Sequence, residues 1–346
     1  MAIRLVQVGM GGWGRNWATN VIQPSEEVAL VACVDLNAEM LVQTQQLLNM
    51  PEERCFQSLQ SALAAVEAEA VLITGNLPAH VPLALEALQA GKHVLLEKPF
   101  APTLAEAQQV VAMAANQNRV LMISQNYRFF PAVQAVIALI REGKLGEVGS
   151  VTIDFRRYNN SSDAKAHRHY QLWQPLLVDM AIHHFDLMRA VLSQEPTQIS
   201  CLTWNPPWSQ YVDPAAAAAT ITFDGGAVVN YRGSWVSSAP RTSWSGEWHI
   251  ECAKGEIIWT SRDDTASDHV SVRPLGKRIR SLQLPEMPLT DRRGSLHAFV
   301  QAICTGQEPE SSGRDNLSTL ALMLAAVESA TSHLPVSLAV KKPVSF

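Results

Sequence analysis

Over residues 3–124 the chain alternates five short apolar runs with segments of helical periodicity, an order that few folds accommodate. The runs Ile3–Gly9, Val28–Asp35, Ala70–Thr74, His93–Glu97 and Val120–Ser124 are apolar nearly throughout, as strands covered on both faces are. Between them, Ala38–Leu48, Pro82–Ala90 and Leu104–Asn116 carry apolar residues at helical spacing. Parallel strands need crossover connections, and helices supply them on both faces of the sheet. The expectation is a doubly wound α/β domain over residues 1–124.

The pattern changes after residue 125, where a second domain is expected to run to 346. A helix is expected over Pro131–Arg141, stopped by Gly143. Alternating stretches follow at Val148–Arg157, Ala219–Phe223, Ala227–Trp235, Trp248–Cys252 and Glu256–Thr260, with Asp224-Gly225-Gly226 as a hairpin turn. Such alternation predicts a large, mainly antiparallel open sheet with one covered face. Helices are expected at Leu176–Leu192, Ser295–Thr305 and Asp315–Ala330, and a long polar loop or flap over residues 261–290.

Gly9-Met10-Gly11-Gly12-Trp13-Gly14 fits G-x-G-x-x-G, follows an apolar strand and precedes a helical segment. In that context Gly9 permits a tight turn, Gly11 lets backbone approach a pyrophosphate, and Gly14 lets helix pack closely on strand. Asp35 ends the second run 21 residues beyond Gly14, where a carboxylate accepts from both adenosine ribose hydroxyls. It repels a 2′-phosphate, and Leu36-Asn37 supplies no cation to neutralise one, so NAD is favoured over NADP. The alternative is a glycine-rich turn that binds nothing.

Two further segments carry chemistry. Gly91–Pro99 ends its strand in Glu97-Lys98-Pro99, which puts a lysine at the carboxyl end of a parallel strand, where ligand crevices lie. In Asp179-Met180-Ala181-Ile182-His183-His184-Phe185-Asp186, an α-helix would align Asp179, His183 and Asp186 on one face, with His184 turned away. Carboxylate, imidazole and carboxylate together form an acid/base candidate.

With these motifs in this order, the chain resembles the Gfo/Idh/MocA oxidoreductases, the glucose–fructose oxidoreductase and inositol dehydrogenase group. The resemblance rests on Gly9–Gly14, Thr74-Gly75-Asn76 with His80, Glu97-Lys98-Pro99, Tyr127-Arg128-Phe129 and Asp179–Asp186. It implies a Rossmann domain followed by an α/β domain whose sheet serves oligomer contacts, giving homodimers or homotetramers. It implies Lys98, Asp179 and His183 as the catalytic group. Cofactor contacts are expected from the Gly9, Gly11, Gly12, Trp13 and Gly14 turn, from Asp35, and from Thr74, Asn76 and His80. Glu97, Lys98 and Arg128 complete that set. Two departures stand out: Gln174–Val178 replaces a glycine-rich stretch common in relatives, and Gly75 replaces an aromatic residue or proline.

The implied reaction transfers a hydride between NAD and a secondary alcohol of a sugar, inositol or related polyol. Two other readings stay open: an NAD-recycling glycosidase that oxidises and eliminates, and a non-catalytic NAD-binding sensor. Retention of both Lys98 and His183 favours an enzyme.

Composition narrows the partners. A net charge of -5 gives no general attraction to nucleic acid or anionic membrane, and no run reaches the ~18 apolar residues of a membrane span. Met1–Val6 lacks a secretory core, and five scattered cysteines suggest neither a disulfide framework nor a metal site, so a cytoplasmic location is expected. Of nine tryptophans, seven fall between Trp173 and Trp259, with sheet packing or an interface expected for most and sugar stacking for a few such as Trp173, Trp204 or Trp208. His167-Arg168-His169 is expected to be a substrate loop or surface rather than a metal site. Of Arg157 and Tyr158, strand alternation turns one inward.

Overall fold

β1 (Ile3–Val8) buries five of its six side chains, as the central strand of a parallel sheet does. The computed structural model describes residues 2–160 and 168–338, and the chain divides into two compact units. The first comprises the chain through Asn126 together with Leu289–Leu317; the second comprises Tyr127–Pro288 and the chain from Ser318 onward.

In the first unit β1 is followed by α1 (Gly12–Trp17), β2 (Val28–Val34), α2 (Ala38–Leu48), β3 (Cys55–Phe56) and α3 (Leu59–Ala65). Then come β4 (Ala70–Ile73), α4 (Leu77–Gln89), β5 (His93–Leu96), α5 (Leu104–Asn116) and β6 (Leu121–Ile123). The strands form one sheet in the order β3-β2-β1-β4-β5-β6, every pair parallel. The order reverses direction between β1 and β4, which opens a crevice at their carboxyl ends. Local chemistry fixes the helices. Asn37 caps α2 by accepting from Glu39 N, and Thr103 caps α5 by accepting from Glu106 N while its hydroxyl meets the Glu106 carboxylate. The helix expected from Pro82 begins earlier, at Leu77, and Pro78 in its first turn costs no hydrogen bond there. β3 and α3 escaped the periodicity reading because they are two and seven residues long.

The second unit opens with α6 (Pro131–Glu142), started by Pro131 and stopped by Gly143 at φ +65°. β7 (Val148–Arg156) follows, then a π-helical segment, Pro175–Ala181, that runs into α7 (Ile182–Leu192). β8 (Pro196–Trp204), β9 (Ala216–Phe223), β10 (Val228–Ser234), β11 (Glu247–Cys252), β12 (Gly255–Thr260), β13 (His269–Pro274) and β14 (Arg280–Ser281) complete most of a nine-stranded sheet. After α8 (Asp291–Thr305) and α9 (Gly313–Ser332), β15 (Val336–Ser337) adds its far edge. Its order is β14-β13-β12-β11-β7-β10-β9-β8-β15, antiparallel except where β7 pairs with β10 in parallel. One face buries Ile153, Phe155, Ile221, Tyr231, Trp248, Ile250 and Trp259; the other carries charged ladders such as Asp154 with Arg232.

Three expectations are corrected. Residues 261–290 are not all loop, because Val270 and Val272 alternate on β13 and are buried. The region 289–317, expected in the second domain, belongs to the first unit: His297 of α8 meets Glu27, and Ser295 meets Ser124. The single helix expected over Leu176–Leu192 is π-helical for its first turns, so the α-helical spacing of Asp179 does not hold there. No helix among the described residues is long and apolar enough to cross a membrane.

Candidate active site

At the carboxyl end of β1 the glycine turn is built by contact. A Cβ on Gly14 would stand 1.8 Å from the Gly9 carbonyl oxygen, and one on Gly9, at φ +91°, would stand 2.5 Å from Gly75 N. Gly75, the departure noted above, is thus where a second backbone abuts the turn. A Cβ on Gly11 or Gly12 would meet nothing within 4 Å, which leaves the space beside their backbone open to a ligand. The Thr74 hydroxyl donates to the Gly9 carbonyl (2.7 Å) and accepts from Gln7 Nε2 (3.2 Å), so this buried residue locks β4 to the turn. Asp35, just beyond β2, accepts from Met10 N (2.6 Å) through Oδ2 and from Asn37 N (2.9 Å) through Oδ1. Each oxygen keeps a second lone pair, and the residue is only half-buried, so it can still accept from hydroxyls.

Trp13 is 46% exposed, with the Arg292 guanidinium 4.4 Å from its ring centroid. Asn76 is exposed at the start of α4, and its side chain makes no cap hydrogen bond. Glu97 is buried and accepts from Trp17 Nε1 at 2.7 Å; burial pushes its carboxyl up, against the pull of the Lys98 charge. Lys98 itself is half-buried at the end of β5. His80 is corrected from cofactor contact to bracket: it is 1% exposed, with Nδ1 2.7 Å from the Pro99 carbonyl and Nε2 3.1 Å from the Gly75 carbonyl. Burial lowers its pKa. It ties the backbone after Lys98 to the backbone beside the glycine turn.

In the second unit His183 is buried at the start of α7, with its ring flat against Tyr127. Asp179 sits in the π-helical segment, half-buried, its Oδ2 3.9 Å from His169 Nδ1. π-helical turns inside longer helices recur at functional sites because they redirect side chains. His184, expected only to turn away from His183, points to the sheet, with Nδ1 3.1 Å from the Tyr231 hydroxyl and Nε2 2.9 Å from the Trp244 carbonyl.

Two assignments fail on geometry. Asp186 holds Arg128 side-on, Oδ2 to Nε at 2.6 Å and Oδ1 to Nη2 at 2.7 Å, and accepts from Thr319 Oγ1 at 3.1 Å. Both residues are buried, so Asp186 is a structural counter-ion rather than an acid/base partner, and Arg128 is no cofactor contact. Periodicity could not find Tyr127, Arg262 and Trp244. The Arg262 guanidinium lies 4.5 Å from the Tyr127 centroid and donates to its hydroxyl at 2.8 Å. Tyr127 did lie in the quoted Tyr127-Arg128-Phe129 triplet, whereas Arg262 and Trp244 sit in irregular chain without periodic signal. Trp235, Trp248 and Trp259 are buried, Trp248 stacking on Trp259; Trp173, Trp204 and Trp208 are exposed. His167 lies outside the described residues.

A parallel sheet with a glycine turn at its switch point and an acid at the end of β2 defines the class of oxidoreductases with an NAD-binding Rossmann domain. The chain belongs to the Gfo/Idh/MocA family: the oxidoreductase-family Rossmann model matches residues 3–125, and the family's C-terminal domain model matches residues 133–258. It is similar to D-apiose dehydrogenase of Paraburkholderia graminis, 26% identical over 96% of this chain and 88% of that protein. It is also similar to inositol 2-dehydrogenase of Rhizobium meliloti, 27% identical over 80% of this chain and 82% of that protein. Among solved structures, an oxidoreductase from Agrobacterium radiobacter in complex with NAD+, L-tartaric acid and magnesium shares the fold. It superposes with a TM-score of 0.85 at 19% identity, over 97% of this chain and 98% of that one.

Proposed function

We propose that the chain is an NAD-dependent oxidoreductase acting on a secondary alcohol of a sugar, inositol or related polyol. The observation that carries this reading is the glycine turn: Gly9 and Gly14 admit no side chain, Gly11 and Gly12 face open space, and Asp35 stands beside it with lone pairs to offer. The dinucleotide fits these residues. Gly11, Gly12 and the start of α1 would hold the pyrophosphate, and Asp35 the adenosine ribose hydroxyls. Asp35 also supports NAD over NADP, since a 2′-phosphate would meet its charge. Asn76 would serve the nicotinamide half. Bound nicotinamide supplies the hydride acceptor that no side chain can provide.

The chain's own residues handle the proton and the charge. His183 takes the hydroxyl proton as general base. Lys98 is assigned the stabilisation of the negative charge that grows on the reacting oxygen. Asp179 orients the base or holds a neighbouring hydroxyl. The sugar and polyol dehydrogenases among the relatives support this substrate class. The uncovered sheet face, with Leu202 and Trp204 exposed on β8, supports a homo-oligomeric assembly through that surface.

The test is an NADH-absorbance assay with inositols, aldoses, sugar acids and glycosides, with product analysis in the same wells and Lys98→Ala as control. NADH formation that Lys98→Ala loses is the expected result. Product without NADH would instead mean internal recycling of the cofactor. Full turnover by Lys98→Ala would overturn the assignment.

A further inference from the structure

Strand alternation turns Arg157 inward and Tyr158 outward: Arg157 is 7% exposed, Tyr158 61%. The Arg157 guanidinium lies 4.0 Å from the Trp244 ring centroid, and Nη1 donates to Asp264 Oδ2 at 2.8 Å. Asp264 Oδ1 is taken by Trp244 Nε1 at 2.7 Å. Nε and Nη2 of Arg157 are buried and have no acceptor among the described residues. Buried donors left without acceptors are rare, and costly on a charged group.

These two nitrogens form the side-on edge of the guanidinium, whose parallel N–H bonds match the two oxygens of a carboxylate or phosphate. Among its described residues, the same unit uses this edge in just that way three times. Arg128 holds Asp186 at 2.6 and 2.7 Å, Arg189 holds Glu195 at 2.8 and 2.6 Å, and Arg232 holds Asp154 at 2.9 and 2.6 Å, each through Nε and Nη2.

Arg157 is linked to the residues assigned to chemistry through a series of packed neighbours. His184, next to His183, holds the Trp244 carbonyl at 2.9 Å, and the Trp244 ring carries Arg157. On the other side, Trp235 packs edge-on against Trp244 and His169 (centroids 6.1 and 5.3 Å), and His169 lies 3.9 Å from Asp179.

We propose that Arg157 is a specificity residue whose Nε/Nη2 edge grips an oxyanion on the substrate, so that the preferred substrate is a polyol bearing a carboxylate or a phosphate ester. The proposal rests on the polyol oxidoreductase reading and narrows it. A neutral sugar leaves both donors unsatisfied, and a site built around a polar partner discriminates strongly against the analogue that lacks it.

The experiment uses the full chain with NAD and a matched set: D-glucose, D-glucuronate and D-glucose 6-phosphate, with the galacto series beside it. Wild type is expected to prefer one anionic member over the neutral one by roughly 100-fold in kcat/KM. Whether that member is the uronate or the phosphate identifies the oxyanion. Arg157→Met should cut the preference at least tenfold. Arg157→Lys should fall between, because a point charge cannot reproduce the fork. Asp264 keeps its bond from Trp244 in both variants, and unchanged unfolding midpoints would confirm an intact fold. Equal use of neutral and anionic members, or a preference that survives Arg157→Met, overturns the proposal. Should no sugar be turned over, the polyol reading fails separately, and tryptophan fluorescence decides the oxyanion site. A saturable change on titration with D-glucuronate or D-glucose 6-phosphate, lost in Arg157→Met, upholds it; no saturable change in wild type overturns it.

Discussion

The imidazole of His183 lies flat on the phenol ring of Tyr127, with centroids 4.1 Å apart and planes 5° from parallel. The stack fixes the rotation of the imidazole about its side-chain bonds, and Arg262 in turn braces Tyr127 through its hydroxyl. A base held in one orientation loses less entropy on reaching the transition state. Tyr127→Phe keeps the stack and is expected to retain kcat within about threefold, whereas Tyr127→Ala should lower kcat by about 10- to 100-fold with a smaller change in KM. Steady-state kinetics on the substrate found in the NADH assay checks this. Equal kcat for the alanine and phenylalanine variants would remove the orienting role.

The glycine turn separates folding from cofactor binding in two neighbouring substitutions. Gly14→Ala forces a methyl to 1.8 Å from the Gly9 carbonyl, so it should destabilise the fold by about 3 kcal/mol or more. Gly12→Ala meets open space and should leave the unfolding midpoint nearly unchanged while weakening NAD binding about tenfold or more. Thermal unfolding and calorimetric NAD titration of the two proteins check the pair. A stable Gly14→Ala, or a Gly12→Ala that binds NAD normally, would show that the turn does not work as described.

The first unit was legible because its strands are covered on both faces and its helices bear signals within a few residues, such as Asn37 capping α2. The short β3 and α3 carry too few residues to show a period. In the candidate site, Gly9, Gly14 and Asp35 can be placed from spacing because the turn after β1 and the end of β2 belong to one continuous strand-helix-strand stretch of chain. The roles of Arg128 and Asp186 could not, because 58 residues separate them and only tertiary packing brings their side chains together. The bonds of His80 to the Gly75 and Pro99 carbonyls are illegible for the same reason, since packing alone brings these groups together. Asp179 was misplaced by the π-helical segment, which no periodicity argument of α-helical type detects.

The Arg128–Asp186 pair yields a stability prediction that opposes the catalytic one. Both side chains are at most 5% exposed, so removing one charge strands the other in the interior. Asp186→Asn is expected to cost about 3 kcal/mol or more in urea unfolding. Activity per folded molecule should stay within a few-fold of wild type. A variant of normal stability that has lost turnover would restore Asp186 to acid/base chemistry.

His184 makes the fold acid-sensitive, and the sign follows from its burial, which outweighs the opposing bond to the Trp244 carbonyl. It is wholly buried, and burial holds its pKa down at about 4 from an ordinary 6.5. The folded chain therefore binds this proton less readily than the unfolded chain. Its contribution to stability is complete above 6.5, declines as the pH falls from 6.5 to 4, and changes no further below that. The full decline is about 3 kcal/mol. His93 adds to it in the same direction, since burial puts its pKa at about 4 and its Nδ1 accepts from Val120 N. Comparing wild type with His184→Asn isolates the one residue, because every other titrating group is common to both. Urea unfolding at about pH 7.5 and about pH 4 should show wild type losing about 3 kcal/mol more than the variant over that interval. Parallel losses would mean that His184 titrates in the folded protein much as it does in the unfolded one.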